Sequence, residues 1–244
     1  MFFSKKKKYD FIFGIGEACS CSSSLRSANL QLRSFPFDWI FGSDFLKRID
    51  IINKHFENFI TKENLVYMGN NGIEEHLCDI YTDKSNDLVF NHDFLSGKNF
   101  DEEFINVQNK YKRRSDRFFE YLNKSQKTLA VWVGTPGKIR VYHTDEDFVN
   151  GYKSLKNGLN IQNLDLLVFT YDEKIPFKNL KYEKISENIE KYTFNYHLAF
   201  HKGKPLADYV VDDKLMKKIL KKYELNMSFK EKWENYKLKH FKKA

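Results

Sequence analysis

The sequence contains few cysteines, which cross-link small secreted domains, and no long apolar run that could anchor a chain in a bilayer. Only three of its 244 residues are cysteine and four are proline. An odd, sparse set of cysteines is not a disulfide framework, and Cys19 with Cys21 lacks the second half of a zinc site. No apolar run approaches the roughly 20 residues that span a bilayer. The shortages predict a soluble cytoplasmic protein with reduced thiols, without metal or cofactor.

A net positive charge is also absent from most of the chain. Eleven Lys and three Glu between positions 214 and 244 account for the whole formal net charge of +8. The preceding residues are neutral in sum, so the body lacks the basic surface typical of nucleic-acid binding, and we expect no nucleic-acid partner. The composition is 41% hydrophobic and 16% aromatic, which excludes a disordered chain and suits a domain with a full core.

The hydrophobic periodicity predicts an α/β fold with a central, mainly parallel sheet flanked by helices, and a basic helical C-terminal tail. Predicted strands cover residues 9–16, 128–134, 164–172 and 191–201. Predicted helices cover 19–32, 44–60, 101–123 and 144–158, the last with Thr144 and Asp147 as a capping box. Strand, helix and strand between 128 and 172 form a βαβ unit.

We predict a single α/β domain over residues 1–211, followed by basic amphipathic helices over 212–244. The second tail helix begins with the capping-box pair Ser228 and Glu231. Its aromatic residues nearly form one stripe, with lysines opposite. Such a helix packs on its own domain or lies on an anionic membrane surface, and the latter would make the protein peripheral to the inner membrane.

The prediction of function depends on how the stretch FIFGIGEACSCSSSLR, which begins at Phe11, is interpreted. A lipoprotein leader is disfavoured because Asp10 interrupts the apolar run and Glu17 stands where a small residue is needed. A dinucleotide loop is disfavoured because Cys19 replaces its third glycine, although the turn at Gly14 and Gly16 could still lie near a substrate phosphate. The third interpretation is a strand and turn that carry a nucleophile.

Cys19 falls in the first turn of the predicted helix. The positive end of the helix dipole would stabilise a thiolate there and lower the thiol pKa, and the free amides could bind an oxyanion. The alternative is a small buried cysteine that packs against the sheet. Composition alone does not separate the two.

The motifs of the N-terminal half resemble a bacterial family of unknown function whose members are named papain-like cysteine peptidases. The matching residues are Gly16 and Cys19, the segment Phe35-Pro36-Phe37-Asp38-Trp39, the segment Phe90-Asn91-His92-Asp93-Phe94, and Arg113, Arg114 and Arg117-Phe118. Genes of this family often lie among those for surface polysaccharides. The resemblance therefore implies a hydrolase or a transferase that acts on a peptide, a glycan or another small molecule.

Under this hypothesis Cys19 is the nucleophile and His92 its base, because His92 follows the cysteine in the papain order. Asp38 is preferred over Asp93 to orient the imidazole, since neighbours on a strand point to opposite faces. The alternative for Asp38 is a turn cap. Arg113, Arg114 and Arg117 are candidates for binding an anionic group of the substrate, with a solvated helix face as the alternative. His143, His197 and His201 are reserve histidines.

The sequence thus predicts a thiol-dependent hydrolase or acyl transferase of papain-like type, with Cys19 and His92 as the catalytic pair. The resemblance implies that it acts in surface-glycan metabolism. The alternative enzyme is a glycosyl- or phospho-transferase of polysaccharide synthesis that binds a nucleotide-activated donor near Gly14 and Gly16. A third alternative is a binding module in which Cys19 is structural.

Overall fold

The computed structural model describes residues 6–135, 142–176, 179–195, 200–201, 204–205 and 213–240. The strands are β1 (Lys7–Tyr9), β2 (Phe11–Gly14), β3 (Phe41–Gly42), β4 (Leu65–Asn70), β5 (Cys78–Asp83), β6 (Leu88–Leu95), β7 (Thr128–Val133), β8 (Leu164–Tyr171), β9 (Lys181–Ser186), β10 (Ile189–Phe194), β11 (Phe200–His201), β12 (Lys204–Pro205) and β13 (Tyr223–Leu225). The helices are α1 (Cys19–Ser27), α2 (Phe45–Asn53), α3 (Phe100–Lys124), α4 (Asp145–Gly158), α5 (Asp213–Leu220) and α6 (Phe229–His240), with 3₁₀ turns at Lys62–Asn64 and Glu74–His76.

A five-stranded sheet forms the centre of the fold, in the order β2-β7-β8-β10-β9. Neighbouring strands are parallel from β2 through β10, and β9 alone runs antiparallel to its neighbour. The predicted mainly parallel α/β sheet is therefore confirmed, including the βαβ unit β7-α4-β8. The predicted capping box opens α4: the Asp147 N–H donates to Thr144 Oγ1 at 3.2 Å, and the Thr144 N–H donates to Asp147 Oδ2 at 2.7 Å.

Helices cover both faces of this sheet because side chains alternate along each strand. In β7, Ala130 and Trp132 join the core beneath α2, α3 and α4. Their neighbours Leu129, Val131 and Val133 join a second core beneath α1 and α5. The largest fully buried side chains are mostly aromatic.

Two helices end earlier than the sequence predicts. Helix α1 ends at Ser27 rather than 32, just before Asn29 at a left-handed φ of 60°. Helix α2 ends at Asn53 rather than 60, because His55 and Phe56 also adopt left-handed φ values of 54° and 57°. A left-handed residue cannot continue a right-handed helix. Phe56 nevertheless reaches the core, as its predicted place in the apolar stripe requires.

A second, antiparallel sheet lies between α1 and α3 in the chain, and the sequence analysis did not foresee it. Its strand order is β3-β6-β5-β4. The β4–β5 connection contains Asn71 and Gly72, a dipeptide typical of hairpin turns. Phe90 and Phe94 of β6 are buried in the main core and fix this sheet against α3. The segment 41–95 is therefore a β-rich insertion between the first strand of the central sheet and α3.

The C-terminal segment begins with elements that pack on the α/β body. Leu215, Met216, Ile219 and Leu220 of α5 are buried in the same core as α1, and β13 pairs in parallel with β1. The following helix α6 exposes its aromatic side chains: Phe229 is 90% exposed and Trp233 is 53% exposed. The predicted stripe residue Phe241, the strand residues 196–199 and His197 lie outside the described residues. Within the described ranges, no helix is long and apolar enough to cross a membrane.

Candidate functional site

Cys19 lies where the central sheet meets α1. Strand β2 ends at Gly14, a buried turn follows, and α1 begins at Cys19. The residue before it, Ala18, is the N-cap and has no side chain that can accept a hydrogen bond from the first amides of the helix. The strand–turn–helix predicted from the sequence is present, and it leaves backbone N–H groups directed toward the thiol.

Gly14 and Gly16 are buried under α1 rather than exposed as a phosphate cradle. A Cβ on Gly16 would lie 2.7 Å from Cys21 Cβ and 2.9 Å from the backbone of Val133, and one on Gly14 would lie 2.9 Å from Cys21 Sγ. Glycine is needed at both positions because the helix packs so closely on the strands. The geometry therefore supports a packing role for these glycines, and their substrate-binding role stays a prediction.

Burial dominates the electrostatics of Cys19, which is half-buried, unlike the fully buried Cys21 and Cys78. Loss of solvation raises its pKa, although the N–H groups of Cys19 and Ser20 hydrogen-bond the thiol and pull the pKa down. The expected depression of the thiol pKa by the helix terminus is thus wrong for this geometry. Cys19 is held as a neutral thiol with amides close by.

His92 owes its position to an irregularity in β6. Asp79 of β5 pairs with Phe94 and Tyr81 pairs with Phe90, so Ile80 alone faces the three residues 91–93. Strict alternation would turn His92 to the same side as Phe90 and Phe94, which are both buried. The additional residues rotate the strand locally, as bulges do, and His92 becomes exposed while Asp93 becomes buried.

Cys19 and His92 line the same pocket, which has a volume of about 220 Å³. Its other lining residues are Ala18, Trp39, Ile40, Phe41, Asn71, Ile73, Ile80 and Asn91. The N-terminus of α1 thus contributes one wall, and the antiparallel sheet with its β4–β5 connection contributes the opposite wall. Among the described residues no hydrogen bond joins the Cys19 thiol to His92, so the two groups share a cavity without direct contact.

Trp39 lines the pocket, and the sequence analysis gave it no role in the site. It follows the buried Phe37 and Asp38 and has a left-handed φ of 69°, an uncommon conformation for a bulky side chain. The Arg26 guanidinium lies 5.6 Å from the centre of its ring. Backbone strain of this kind concentrates at functional sites. The signal in the sequence was the Pro-Phe-Asp-Trp segment itself.

Asp38 connects α1 to the loop that follows it. Its carboxylate accepts hydrogen bonds from Ser22 Oγ at 2.6 Å, from the Phe35 N–H at 3.0 Å and from Gln31 Nε2. Arg26 lies 3.7 Å away, and burial raises the pKa of this fully enclosed carboxyl. These partners do not support the predicted role of orienting His92. The capping alternative describes Asp38 better.

Two arginines of α3 donate hydrogen bonds to backbone carbonyls of the loop after α1. Arg117 Nη1 donates to the Ser34 carbonyl at 2.8 Å, and Arg114 Nη1 donates to the Asp38 carbonyl at 3.2 Å. Arg113 is exposed and, like the other two, does not line the pocket of Cys19. The geometry therefore does not support a substrate-binding role for Arg114 and Arg117, which fix the loop that carries Trp39.

Two further polar residues hold the walls of the pocket. Asp93, the neighbour of His92, accepts hydrogen bonds from Lys110 Nζ at 2.5 Å and from Tyr111 OH at 3.0 Å, which anchors β6 to α3. The fully buried Arg48 donates to the carbonyls of Gly42 and, at 3.4 Å, Glu17. Arg48 thereby connects β3 to the turn before Cys19, and no local sequence pattern revealed this.

The reserve histidine His143 has a structural environment. Its Nε2 accepts a hydrogen bond from the Phe45 N–H at 3.3 Å, and its ring packs against Trp132 and Phe148. Burial lowers the pKa of this imidazole. The described part of the chain contains no group of three or more His, Cys, Asp or Glu side chains arranged to hold a metal ion.

Comparison with protein families gives the site its context. Residues 10–135 match the family described as "Putative papain-like cysteine peptidase (DUF1796)". The chain belongs to this family. The matched region is more than half of the chain and contains Cys19, His92 and the Pro-Phe-Asp-Trp segment, so a papain-like hydrolase family is the coarse functional class.

The curated relative found is a viral protein. "Uncharacterized protein R408" of Acanthamoeba polyphaga mimivirus is 26% identical over an alignment of 133 residues that covers 48% of this chain. The chain spans 58% of the length of that relative. No solved structure matches the chain. Family membership therefore rests on the N-terminal region that builds the pocket.

Proposed function

We propose that the protein is a thiol-dependent hydrolase or acyl transferase in which Cys19 is the nucleophile and His92 the general base. The observation that carries the proposal is the pocket of about 220 Å³ that both residues line. Membership of a papain-like family supports the same assignment. The half-buried state of Cys19 supports it further, because Cys21 and Cys78 are closed off in the core.

The first chemical step forms a thioester. His92 takes the proton of the Cys19 thiol while Sγ attacks the carbonyl carbon of the substrate. The N–H groups at the start of α1 are suited to accept the negative charge that develops on the carbonyl oxygen. The leaving group then departs with the proton held by His92.

The second step distinguishes a hydrolase from a transferase. Water or another nucleophile attacks the thioester, gives its proton to His92 and releases the thiol, to which the proton returns. Because burial raises the pKa of Cys19, the thiol is neutral at rest and needs this base during attack. His92 would therefore act within each step rather than as the standing partner of a thiolate.

The finer predictions about substrate and partners extend this proposal. A substrate from surface-glycan metabolism fits an acyl-transfer site that removes or adds an ester or amide group. The nucleotide-donor alternative is less well supported, because Gly16 is buried against Cys21 and Arg117 binds the Ser34 carbonyl. An anionic membrane surface remains a proposed partner of α6, supported by the exposed Phe229 and Trp233.

The decisive experiment is trapping of the acyl-enzyme. The purified protein is mixed with 4-nitrophenyl acetate, nitrophenol release is followed by absorbance, and the acetylated peptide is located by mass spectrometry. Acetyl should appear on Cys19, and Cys19→Ala should abolish release above the rate of the buffer. His92→Gln should lower the rate about 10²–10⁴-fold, the usual contribution of a general base.

The matched control is His76→Gln, since His76 is an exposed histidine on the β4–β5 connection that does not line the pocket. Its rate should equal that of the unchanged protein. Acetylation of another residue, or full activity of Cys19→Ala, would refute the proposal.

A further inference from the structure

The walls beside Cys19 are apolar on both sides of the pocket. Trp39, Ile40 and Phe41 come from the segment after α1, and Ile73 and Ile80 come from the antiparallel sheet and its connection. Ala18 completes the apolar surface. The lining contains no Lys, Arg, Asp or Glu side chain. A charged group bound against these apolar walls, away from the start of α1, would lose its solvation, and no Lys, Arg, Asp or Glu side chain of the lining would compensate its charge.

The two amide side chains in the lining do not change this character. Asn71 uses both ends of its amide internally: Oδ1 accepts from the Ile73 and Cys78 N–H groups at 3.1 and 3.2 Å, and Nδ2 donates to the His76 and Asn91 carbonyls. Asn71 therefore organises the β4–β5 connection rather than facing a ligand. Asn91 and His92 remain as the polar side chains that can meet a substrate.

Ile73 is the most exposed apolar side chain of the pocket lining. It stays 46% exposed although it lines the cavity, so it has apolar surface left for a ligand to cover. Its backbone is fixed by Asn71, and the neighbouring Gly72 takes a left-handed φ of 67°. A side chain held at a defined position with free apolar area is suited to discriminate between substrates.

We infer that the pocket accepts a small, uncharged, apolar acyl group and that Ile73 determines this specificity. The inference rests on the proposed function, since it concerns the group attached to the carbonyl that Cys19 attacks. A volume of about 220 Å³ is below the roughly 300–1,000 Å³ of pockets for drug-sized ligands, so one aliphatic or aromatic side chain or a short acyl chain is the matching size. Anionic sugars and phosphorylated groups are excluded from the acyl side.

The test compares three chloroacetyl reagents whose methylene carbon is attached to a neutral amide, a butyl-substituted amide or a carboxylate. Cys19 Sγ forms a bond to the methylene carbon, chloride leaves, and the thiol proton goes to the buffer. Alkylation rates of the Cys19 peptide are measured by mass spectrometry for chloroacetamide, N-butylchloroacetamide and chloroacetate. Each rate is divided by that of glutathione with the same reagent, which removes intrinsic reactivity.

We expect N-butylchloroacetamide to exceed chloroacetamide by about tenfold, from burial of its methylenes, and chloroacetate to fall about tenfold below it, from desolvation of its charge. Ile73→Asp should remove the advantage of the butyl reagent, and Ile73→Ala should reduce it. Leu77→Asp is the matched control, because Leu77 is 40% exposed on the same connection and does not line the pocket. Thermal unfolding of all variants checks that they fold.

The outcomes separate this inference from the proposed function. Equal normalised rates for the three reagents, a preference for chloroacetate, or an equal effect of Ile73→Asp and Leu77→Asp would overturn the apolar subsite even if Cys19 still forms the acetyl-enzyme. Failure of acetyl-enzyme formation with an intact butyl preference would instead refute the catalytic assignment.

Discussion

Cys19 and His92 face one pocket from two different sheets: Cys19 starts the helix after β2, and His92 stands on the bulge of β6. His92 is held at this pocket because Phe90 and Phe94 anchor β6 in the core on either side of the bulge. Asp93 fixes the same strand to α3 through Lys110 and Tyr111. A rigid frame on both sides of a cavity is what a preorganised site requires.

The pH at which Cys19 becomes reactive toward iodoacetamide should be higher than for an ordinary thiol. Because burial raises its pKa, the thiolate fraction is smaller than that of an ordinary thiol at any given pH and keeps growing at higher pH. The midpoint of the alkylation rate should therefore lie above that of glutathione measured in parallel. A midpoint below that of glutathione would indicate a thiolate stabilised by a group that the present geometry does not bring close.

Gly16→Ala should destabilise the fold by about 1–3 kcal/mol, the usual cost of overpacking. The new methyl group would lie 2.7 Å from Cys21 Cβ and 2.9 Å from backbone atoms of Val133, and neither strand nor helix can give way locally. Urea unfolding measures the loss. Gly134→Ala is the control, since its nearest neighbour would be at an ordinary 3.5 Å. Equal stability of the two variants would contradict the close packing of α1.

Asp38→Asn should cost about 1–3 kcal/mol of unfolding free energy, because an amide cannot accept from all the donors around that position. Ser22, Gln31 and the Phe35 N–H all donate to the carboxylate. Asp87→Asn is the control: its ion pair with Lys47 is solvent-exposed and should contribute about 0–1 kcal/mol.

The cost of Asp38→Asn should also vary with pH. The native pKa of Asp38 is raised, so the folded protein binds its proton more readily than the unfolded chain. That proton stabilises the native state as pH falls and this contribution is lost as pH rises through the native pKa. The stability difference between the unchanged protein and Asp38→Asn should widen on acidification; a difference that narrows would contradict the raised pKa.

Arg48→Met should destabilise the protein by about 3–5 kcal/mol, in the range for removing one partner of a buried charged contact. Arg48 is fully buried, has its pKa lowered to about 10 by burial, and donates to the Gly42 and Glu17 carbonyls. The Gly42 carbonyl would lose these donors beside the pocket, while the Glu17 carbonyl would keep the Gly42 N–H as its donor at 3.0 Å. Lys47→Met, at the neighbouring and partly exposed position, should change the urea midpoint little, because its ion pair with Asp87 lies at the surface. Similar midpoints for both variants would show that Arg48 does not hold this turn.

Local sequence signals predicted the central part of the fold well. The continuous apolar runs of the buried strands, the capping box at Thr144 and the apolar stripe of α3 depend on near neighbours in the chain, and each is present. The position of Cys19 at the start of a helix followed from the glycines and serines around it. These features are set by backbone sterics and short-range hydrogen bonds, which one sequence displays directly.

The remaining features depend on partners that are distant in the chain. The sequence determined that Cys19 begins a helix and that Asp38 stands in a tight turn. Only the tertiary structure decided that His92 lines the pocket of Cys19, because a bulge against Ile80 reversed the side chain that strict alternation assigns to the core. The tertiary structure also brought Ser22 and Gln31 to the Asp38 carboxylate as hydrogen-bond donors. It formed the cavity beside Cys19 as well. Burial and strand register are properties of the packed chain, so the pKa of the thiol and the partner of the histidine could not be read from spacing alone.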